Sequence, residues 1–322
     1  MSRRDLARLS LAVLMDPLES IKPAKDSTIA MLKAAARRGC ETLAFGQGDL
    51  WSRDGRAFAR LAPIEVIGDG ADWYRAGEPA VRELSGVDAV LMRKDPPFDM
   101  EYIYSTYLLE RAEAAGTLVV NLPQGLRDMN EKAYTAWFPD CCAPSLITRD
   151  MAAMEAFLGE HGQAVFKPLD GMGGRSIFVV AKGDRNARVV LETLTDGGRR
   201  YAMAQRYLPE IAETGDARIL LVDGEPVPHA LVRMPAAGDH RGNLAAGASA
   251  KSRALTDRDR FLASRIGPAM RERGMLFVGL DVIGGFVTEI NVTSPTGIRE
   301  IEKMHGHDVG GMLIDAVLKR LA

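Results

Sequence analysis

Cysteine is scarce in this chain: three in 322 residues, with Cys141 and Cys142 adjacent and Cys40 alone. That excludes a disulfide-stapled scaffold and fits a reducing compartment. Neither sign of charge is in excess. The 41 basic and 43 acidic side chains leave a net charge of −2, which argues against a nucleic-acid-binding protein, usually basic over a whole domain. No apolar run approaches the roughly 18 residues that would span a bilayer. Internal repeats and low-complexity tracts are missing as well. What remains is an ordinary globular composition, 47% apolar and 26% charged, long enough for two or three domains at about 150 residues each. Ser2-Arg3-Arg4-Asp5-Leu6 has the look of a twin-arginine export signal. The apolar run behind it, Leu9–Met15, stops at Asp16-Pro17 without a small-residue cleavage site. We read a short tail, a first buried strand and a cytoplasmic protein.

The first 120 residues alternate strand and helix signals. Strands are expected at Leu9–Met15, Glu41–Phe45, Val87–Met92 and Thr117–Val120. Asp26 caps a helix to Arg38 that Gly39 ends, and Met100–Ala115 is a helix with Ile103, Tyr107, Leu108 and Ala112 on its apolar stripe. This alternation implies a parallel sheet covered on both faces, with ligands at the C-terminal strand ends. Leu122–Asn130, punctuated by Pro123 and Gly125, reads as the loop between domains. Beyond it the pattern is α+β, with helices near 150–160, 256–273 and 308–321. Paired strands flank a glycine loop, then Asp223-Gly224, then Gly284-Gly285.

Four constellations could carry chemistry. Lys167-Pro-Leu-Asp-Gly171-Met172-Gly173-Gly174 places a lysine beside glycines that let backbone N–H groups approach a phosphate. A strand pattern follows, so the loop reads as a flap over a nucleotide; a plain glycine-rich turn is the simpler alternative. Glu289 and Asn291 share one strand face, because side chains alternate with period two. A three-residue turn including Phe286 would bring Asp281 directly opposite Glu289, and hard oxygen ligands of this kind suit Mg²⁺. An exposed polar strand face explains the same residues. The segment Arg233–Gly247, long and rich in small residues, reads as a lid or as a surface loop. Arg93 and Lys94 lie just past a strand's C-terminal end, where a parallel sheet places its ligands. Other signals carry less. Gly46-Gln-Gly48 is a fragment of a dinucleotide fingerprint. His305 and His307 lack partners at zinc spacing and read as solvated or capping. Cys141-Cys142 reads as buried thiol, and Tyr102, Tyr104 and Tyr107 as helix and core residues.

The order of these motifs is more specific than any one of them. Met15-Asp-Pro17, Leu91-Met-Arg-Lys-Asp-Pro-Pro-Phe-Asp99, Asn130-Glu-Lys132, Lys167 to Gly174, Arg241-Gly-Asn-Leu-Ala-Ala-Gly247 and Glu289-Ile-Asn-Val-Thr-Ser-Pro-Thr296 closely resemble the bacterial glutathione synthetases of the ATP-grasp superfamily. The resemblance runs from about residue 9 to the C-terminus. It implies an N-terminal parallel α/β, Rossmann-like substrate domain (1–129), then a two-lobed ATP-grasp fold with a central lobe (130–211) and a C-terminal lobe (212–322) carrying a lid (234–249). It implies ATP-dependent ligation of γ-glutamylcysteine and glycine through an acyl phosphate. Lys132 and Lys167 would hold ATP phosphates under the Gly171, Met172, Gly173, Gly174 flap. Gln205, Tyr207 and Leu208 would line the adenine pocket, where Arg206 is unusual, and Asp216 would meet the ribose. Asp281, Glu289 and Asn291 would bind Mg²⁺, with Mn²⁺ as a substitute. Arg218 and Arg233 would be catalytic. Lys25, Ser27, Arg93, Arg233, Asn291, Thr293, Ser294, Pro295, Thr296 and Gly297 would hold the peptide. The partners implied are these small molecules and copies of the same chain in a dimer or tetramer, with no nucleic acid or membrane. The alternative is another ATP-grasp carboxylate–amine ligase, joining D-alanines or adding glutamates to a protein.

Overall fold

The computed structural model describes residues 9–236 and 249–322. Strand β1 (Ser10–Leu14) is fully buried, as its continuous apolar run requires. Helix α1 (Ser27–Arg37) begins where the Asp26 carboxylate accepts from the Thr28 and Ile29 N–H groups, satisfying two of the donors a helix start leaves open. After β2 (Glu41–Phe45) come β3 (Leu50–Arg53), β4 (Arg56–Val66), β5 (Tyr74–Ala76) and β6 (Ala80–Glu83). Then follow β7 (Ala89–Met92), α2 (Met100–Ala114), β8 (Leu118–Val120) and α3 (Pro123–Asp128). The sheet order is β3-β4-β2-β1-β7-β8, with β5 and β6 also paired to β4. Strands β2, β1, β7 and β8 are mutually parallel, whereas β4 runs antiparallel to β2. The expectation of a purely parallel sheet is therefore corrected by the antiparallel strands of residues 50–83. Their alternating, half-exposed pattern lacks the continuous apolar run that marks a buried parallel strand.

Two further expectations change here. Leu122–Asn130 is not a loop: Pro123 opens α3 at its first turn, where a missing N–H costs nothing. The buried face of α2 is Tyr102, Ser105, Thr106, Leu109 and Ala112, not the stripe through Tyr107. Tyr104 and Tyr107 are exposed, so only Tyr102 of the three tyrosines is core.

The middle of the chain forms β9 (Ser145–Thr148), α4 (Met151–His161), β10 (Gln163–Pro168), β11 (Phe178–Ala181), α5 (Ala187–Thr195), β12 (Ala202–Arg206) and the short α6 (Ile211–Thr214). Its antiparallel sheet, β11-β10-β12-β9, packs on α4 and α5 around Met154, Leu158, Phe166, Leu191 and Leu194, a core of its own. The last part comprises β13 (Asp216–Val222), β14 (Glu225–Pro226), β15 (His229–Met234), β16 (Ser249–Ala254), α7 (Asp257–Glu272), β17 (Phe277–Ile283), β18 (Phe286–Asn291), α8 (Ile298–His305) and α9 (Val309–Leu321). Its sheet runs β16-β15-β13-β17-β18. This sheet and the first share cores. One cluster joins Leu14, Tyr102 and Leu126 to Ile219 and Val278, and another joins Val13 and Ile29 to Phe277 and Leu313. Of the lid expected at 234–249, residues 237–248, and with them Arg241–Gly247, lie outside the described residues.

Candidate active site

Strand register builds the site. In β13 and β15 Asp216 faces Arg233; in β13 and β17 Arg218 faces Asp281; in β17 and β18 Asp281 faces Glu289 and Gly279 faces Asn291. Residues directly opposite in a ladder share a face. Two arginines and three carboxylates therefore stand on one face of this sheet. The Asp281–Glu289 pairing is the expected one, but its cause is not. The turn is the two residues Gly284-Gly285, both at positive φ, with Ile283 opposite Phe286. A β-bulge between Asp281 and Val282 then shifts the register, leaving Thr288 as the extra residue.

Asp281 is the hub. Its carboxylate accepts from Arg218 Nε (2.5 Å) and the terminal Arg218 nitrogen (3.1 Å), and lies 3.0 Å from Arg233. Burial pushes this carboxyl up, but the two guanidinium groups outweigh burial and hold it well below the usual carboxylate range. Asp216 has Arg233 at 2.5 Å. Burial and the neighbouring Asp281 outweigh that contact and push it up to about 6. The arginine pair is thus a fixed block of positive charge with its geometry set by two aspartates.

The central sheet supplies the opposite wall. Val165, opposite Gln205, shares a face of β10 with Lys167, while Ala164 and Phe166 turn to the α4–α5 core. The Lys167 ammonium donates to Thr288 O at 3.1 Å and meets Gln205 Oε1 at 3.4 Å. Burial lowers its proton affinity, against the pull of Glu289. Lys132 donates to Gly171 O at 2.5 Å and lies 3.5 Å from Glu289. In the glycine segment, Gly173 and Gly174 sit at positive φ, which favours glycine. A Cβ on Gly171 would lie 2.7 Å from Pro168 Cγ.

One pocket is lined by Lys132, Lys167, Gly171–Gly174, Gln205, Tyr207, Leu208, Asp216, Arg218, Arg233, Asp281, Glu289 and Asn291. All the residues expected to bind nucleotide and metal, and both expected to be catalytic, come together there. Gln205 Nε2, Asp216 Oδ1 and Arg233 Nε are buried in this wall without a partner among the described residues. Buried polar atoms are rarely left so unless a ligand or water meets them. For a divalent cation, Glu289 and Asn291 are suitable hard donors: Asn291 Nδ2 donates to Gly279 O, and its amide oxygen has no donor among the described residues. Asp281 is ionised but shares both oxygens with arginine. No cluster of three His, Cys, Asp or Glu side chains that could hold a metal occurs among the described residues. One or two carboxylates with the remainder from phosphate and water is the Mg²⁺ pattern.

The residues expected at the peptide divide into two groups. Thr293, Ser294, Pro295, Thr296 and Gly297 form the loop between β18 and α8. Arg93 is buried beneath it, not open toward a ligand: it donates to Pro295 O at 3.0 Å and to Thr28 Oγ1 at 3.2 Å. Ser27 is also buried, its hydroxyl accepting from Ile298 N. Both hold the loop in place from behind. Arg218 reaches it too, donating to Thr296 O at 3.1 Å. Lys25 is exposed. Lys94 turns away to Asp16 at 2.7 Å. Sequence reasoning missed Glu131, whose Oε1 accepts from Val292 N, Thr293 N and Thr293 Oγ1 at 2.8–3.0 Å. It stands inside the quoted Asn130-Glu-Lys132 motif, where only the lysine had drawn notice. Asn121, which follows β8 and bonds Phe277 of β17 and Val292 just past β18, had no sequence signal at all.

Comparison with known proteins agrees over nearly the whole chain. Residues 9–127 match the family model of the prokaryotic glutathione synthetase N-terminal domain, and residues 131–306 that of the prokaryotic glutathione synthetase ATP-grasp domain. The glutathione synthetase of Pseudomonas putida is 53% identical over 311 residues, covering 97% of this chain and 98% of its own. That of Salmonella typhimurium is 51% identical over 314 residues, covering 98% and 99%. Among solved structures, the D-cycloserine synthetase DcsG has a similar fold, with a TM-score of 0.70 at 16% identity over 97% of this chain and 100% of its own. D-alanyl-alanine synthetase A from Vibrio cholerae superposes with a TM-score of 0.60 at 12% identity, covering 98% and 99%.

Proposed function

The chain belongs to the prokaryotic glutathione synthetases, an ATP-grasp ligase family, and from that membership we propose that it joins γ-glutamylcysteine to glycine, with release of ADP and phosphate. The observation that carries the reading is the single pocket in which the Arg218–Asp281–Arg233 block faces Lys132, Lys167 and the glycine flap. A carboxylate is a poor electrophile toward an amine at neutral pH. In this reading the cysteinyl carboxylate attacks the γ-phosphorus of ATP, and ADP leaves. The resulting acyl phosphate is attacked by the glycine amine, which expels phosphate and forms the amide. Such transfers are driven mainly by positioning and by neutralising charge.

Lys132 and Lys167 would hold the phosphates, with Gln205, Tyr207, Leu208 and Asp216 around the nucleoside. Arg218 and Arg233, preset by Asp281, would face the charge that builds on the transferring phosphoryl group. The Thr293–Gly297 loop would hold the peptide, and Arg93 and Ser27 would act on the peptide by positioning that loop. A divalent cation, Mg²⁺ or Mn²⁺, held by Glu289 and Asn291 with Asp281 beside them, would offset phosphate charge. We take residues 1–129 as the substrate unit, 130–211 and 212–322 as the two lobes, and the active form as a cytoplasmic dimer or tetramer. Among the described residues no helix is long and apolar enough to cross a membrane.

The test is ADP release with Mg-ATP, γ-glutamylcysteine and glycine, omitting each in turn. Turnover that requires all three is expected. Turnover only with a different carboxylate and amine would overturn the substrate reading and keep the nucleotide site.

A further inference from the structure

Among the described residues, six cationic side chains line the nucleotide pocket: Lys132, Lys167, Arg175, Arg206, Arg218 and Arg233. Five are committed. Arg218 and Arg233 are paired with Asp281 and Asp216, and Lys132 with Glu289. Lys167 bonds Thr288 O from a buried strand. Arg206 lies over the Phe286 ring at 5.7 Å, in the segment leading to Tyr207 and Leu208. Arg175 is different. It is exposed, and its guanidinium has no hydrogen bond or ion pair among the described residues. The fourth carboxylate of the pocket, Glu131, is already occupied by Val292 N, Thr293 N and the Thr293 hydroxyl.

Arg175 lies between the flap glycines and β11, on the pocket wall. Arg175, Ile177 and Val179 line the nucleotide pocket, and Ser176 and Phe178 do not. Arg175 and Ser176 stand in the turn that precedes β11, with Ser176 at positive φ. The arginine follows Gly173 and Gly174 directly, and its N–H bonds Met172 O at 3.2 Å. It is thus tied into the flap by its backbone, while its side chain has no polar partner among the described residues. Among the described residues the lining sets six cations against four carboxylates, a surplus of positive charge that the anionic Mg-ATP would meet. A guanidinium presents a planar fork that matches two phosphate oxygens, whereas a lysine acts as a point charge.

We propose that Arg175 is a nucleotide-binding residue of this chain, contacting the ATP phosphate tail from the flap side while Lys167 contacts it from β10. The proposal rests on the ligase reading above, yet its decisive measurement does not need turnover. Titrate Mg-ATP and adenosine calorimetrically into the full-length wild type, Arg175→Ala and Arg175→Lys, and then measure steady-state constants. Loss of one charge-assisted contact should weaken Mg-ATP by at least about tenfold in Arg175→Ala, with partial recovery in Arg175→Lys and unchanged adenosine affinity. KM for ATP should rise in step, with KM for the peptide and for glycine unaltered. Mg-ATP affinity within twofold of wild type overturns the proposal. So does a rise confined to the peptide KM, which would assign Arg175 to the outer cavity it also borders with Pro96, Pro97 and Arg200. Failure of the wild type to consume γ-glutamylcysteine and glycine would overturn the substrate reading, and the nucleotide titration would still decide the role of Arg175.

Discussion

Glu289 shows how far one side chain's role depends on its neighbours. It is half-buried and 3.5 Å from Lys132, on the ladder rung opposite Asp281. Glu289→Gln keeps the volume and removes one negative charge from the edge proposed to bind the cation. We expect kcat to fall at least about a hundredfold, since charge stabilisation by a metal is worth several kcal/mol, with the thermal midpoint nearly unchanged. Near-normal ADP release in that variant would remove Glu289 from the metal assignment. The two cysteines at 141–142 behave oppositely, as side chains without a chemical task. Burial pushes both thiols up, Cys142 to about 12, so neither is a nucleophile at neutral pH.

Single elements carry features that no motif announces. Asp223-Gly224 is a two-residue hairpin turn with both residues at positive φ, joining β13 to β14. Helix α7 packs so closely on it that a Cβ at Gly267 would lie 2.0 Å from Gly224 O. Gly267→Ala should therefore destabilise the protein by about 1–3 kcal/mol through overpacking, read as a lowered urea midpoint; an unchanged midpoint would mean that α7 shifts freely. At the far end of the β15–β16 pair, the histidines first read as solvated are brought together. His229 Nδ1 lies 2.8 Å from His307 Nε2, the His229 and His305 rings stack at 3.7 Å, and His305 Nε2 meets Ser252 Oγ at 2.7 Å. Burial, and then the two other rings, make His229 harder to protonate than a free histidine. The unfolded chain then binds the extra proton more readily, so stability present at neutral pH is lost as pH falls through the ordinary histidine range, near 6.5. The thermal midpoint should fall on acidification from about pH 7.5 to about 5.5, and fall less in His229→Phe. Equal falls in both proteins would show that the stack contributes nothing to acid sensitivity.

At the scale of the molecule, the first sheet and the last are joined by a few buried polar contacts. Asn121 donates to Phe277 O at 2.8 Å and Val292 O at 2.7 Å, and accepts from Phe277 N at 2.9 Å. Truncation strands three buried backbone groups at about 1 kcal/mol or more each. Asn121→Ala should thus cost about 3 kcal/mol in urea unfolding. KM for the peptide should rise more than KM for ATP, because Val292 leads directly into the Thr293–Gly297 loop proposed to hold the peptide. A larger rise for ATP would contradict that placement.

How much of this was legible beforehand follows from the range of the interactions involved. Local signals were readable: the Asp26 cap, the span Glu41–Phe45, the Asp223-Gly224 turn and the flap glycines depend on residues a few positions apart. Long motifs identified the family and most of the pocket lining. The antiparallel strands at 50–83 were not readable, because half-exposed strands lack an unbroken apolar run. Neither was the support role of Arg93 and Ser27, since a buried arginine under a loop and one facing a ligand look alike in sequence. The Asp281–Glu289 rung was anticipated through the wrong turn and reached through a bulge. By itself, then, the sequence determined the local elements and the family, which arise from short-range propensity and long conserved-type motifs. Only the tertiary structure decided which charges share a face, which are already paired, and that Arg175 has no polar side-chain partner among the described residues, because pairing depends on residues tens to hundreds of positions apart that only the sheet register brings together.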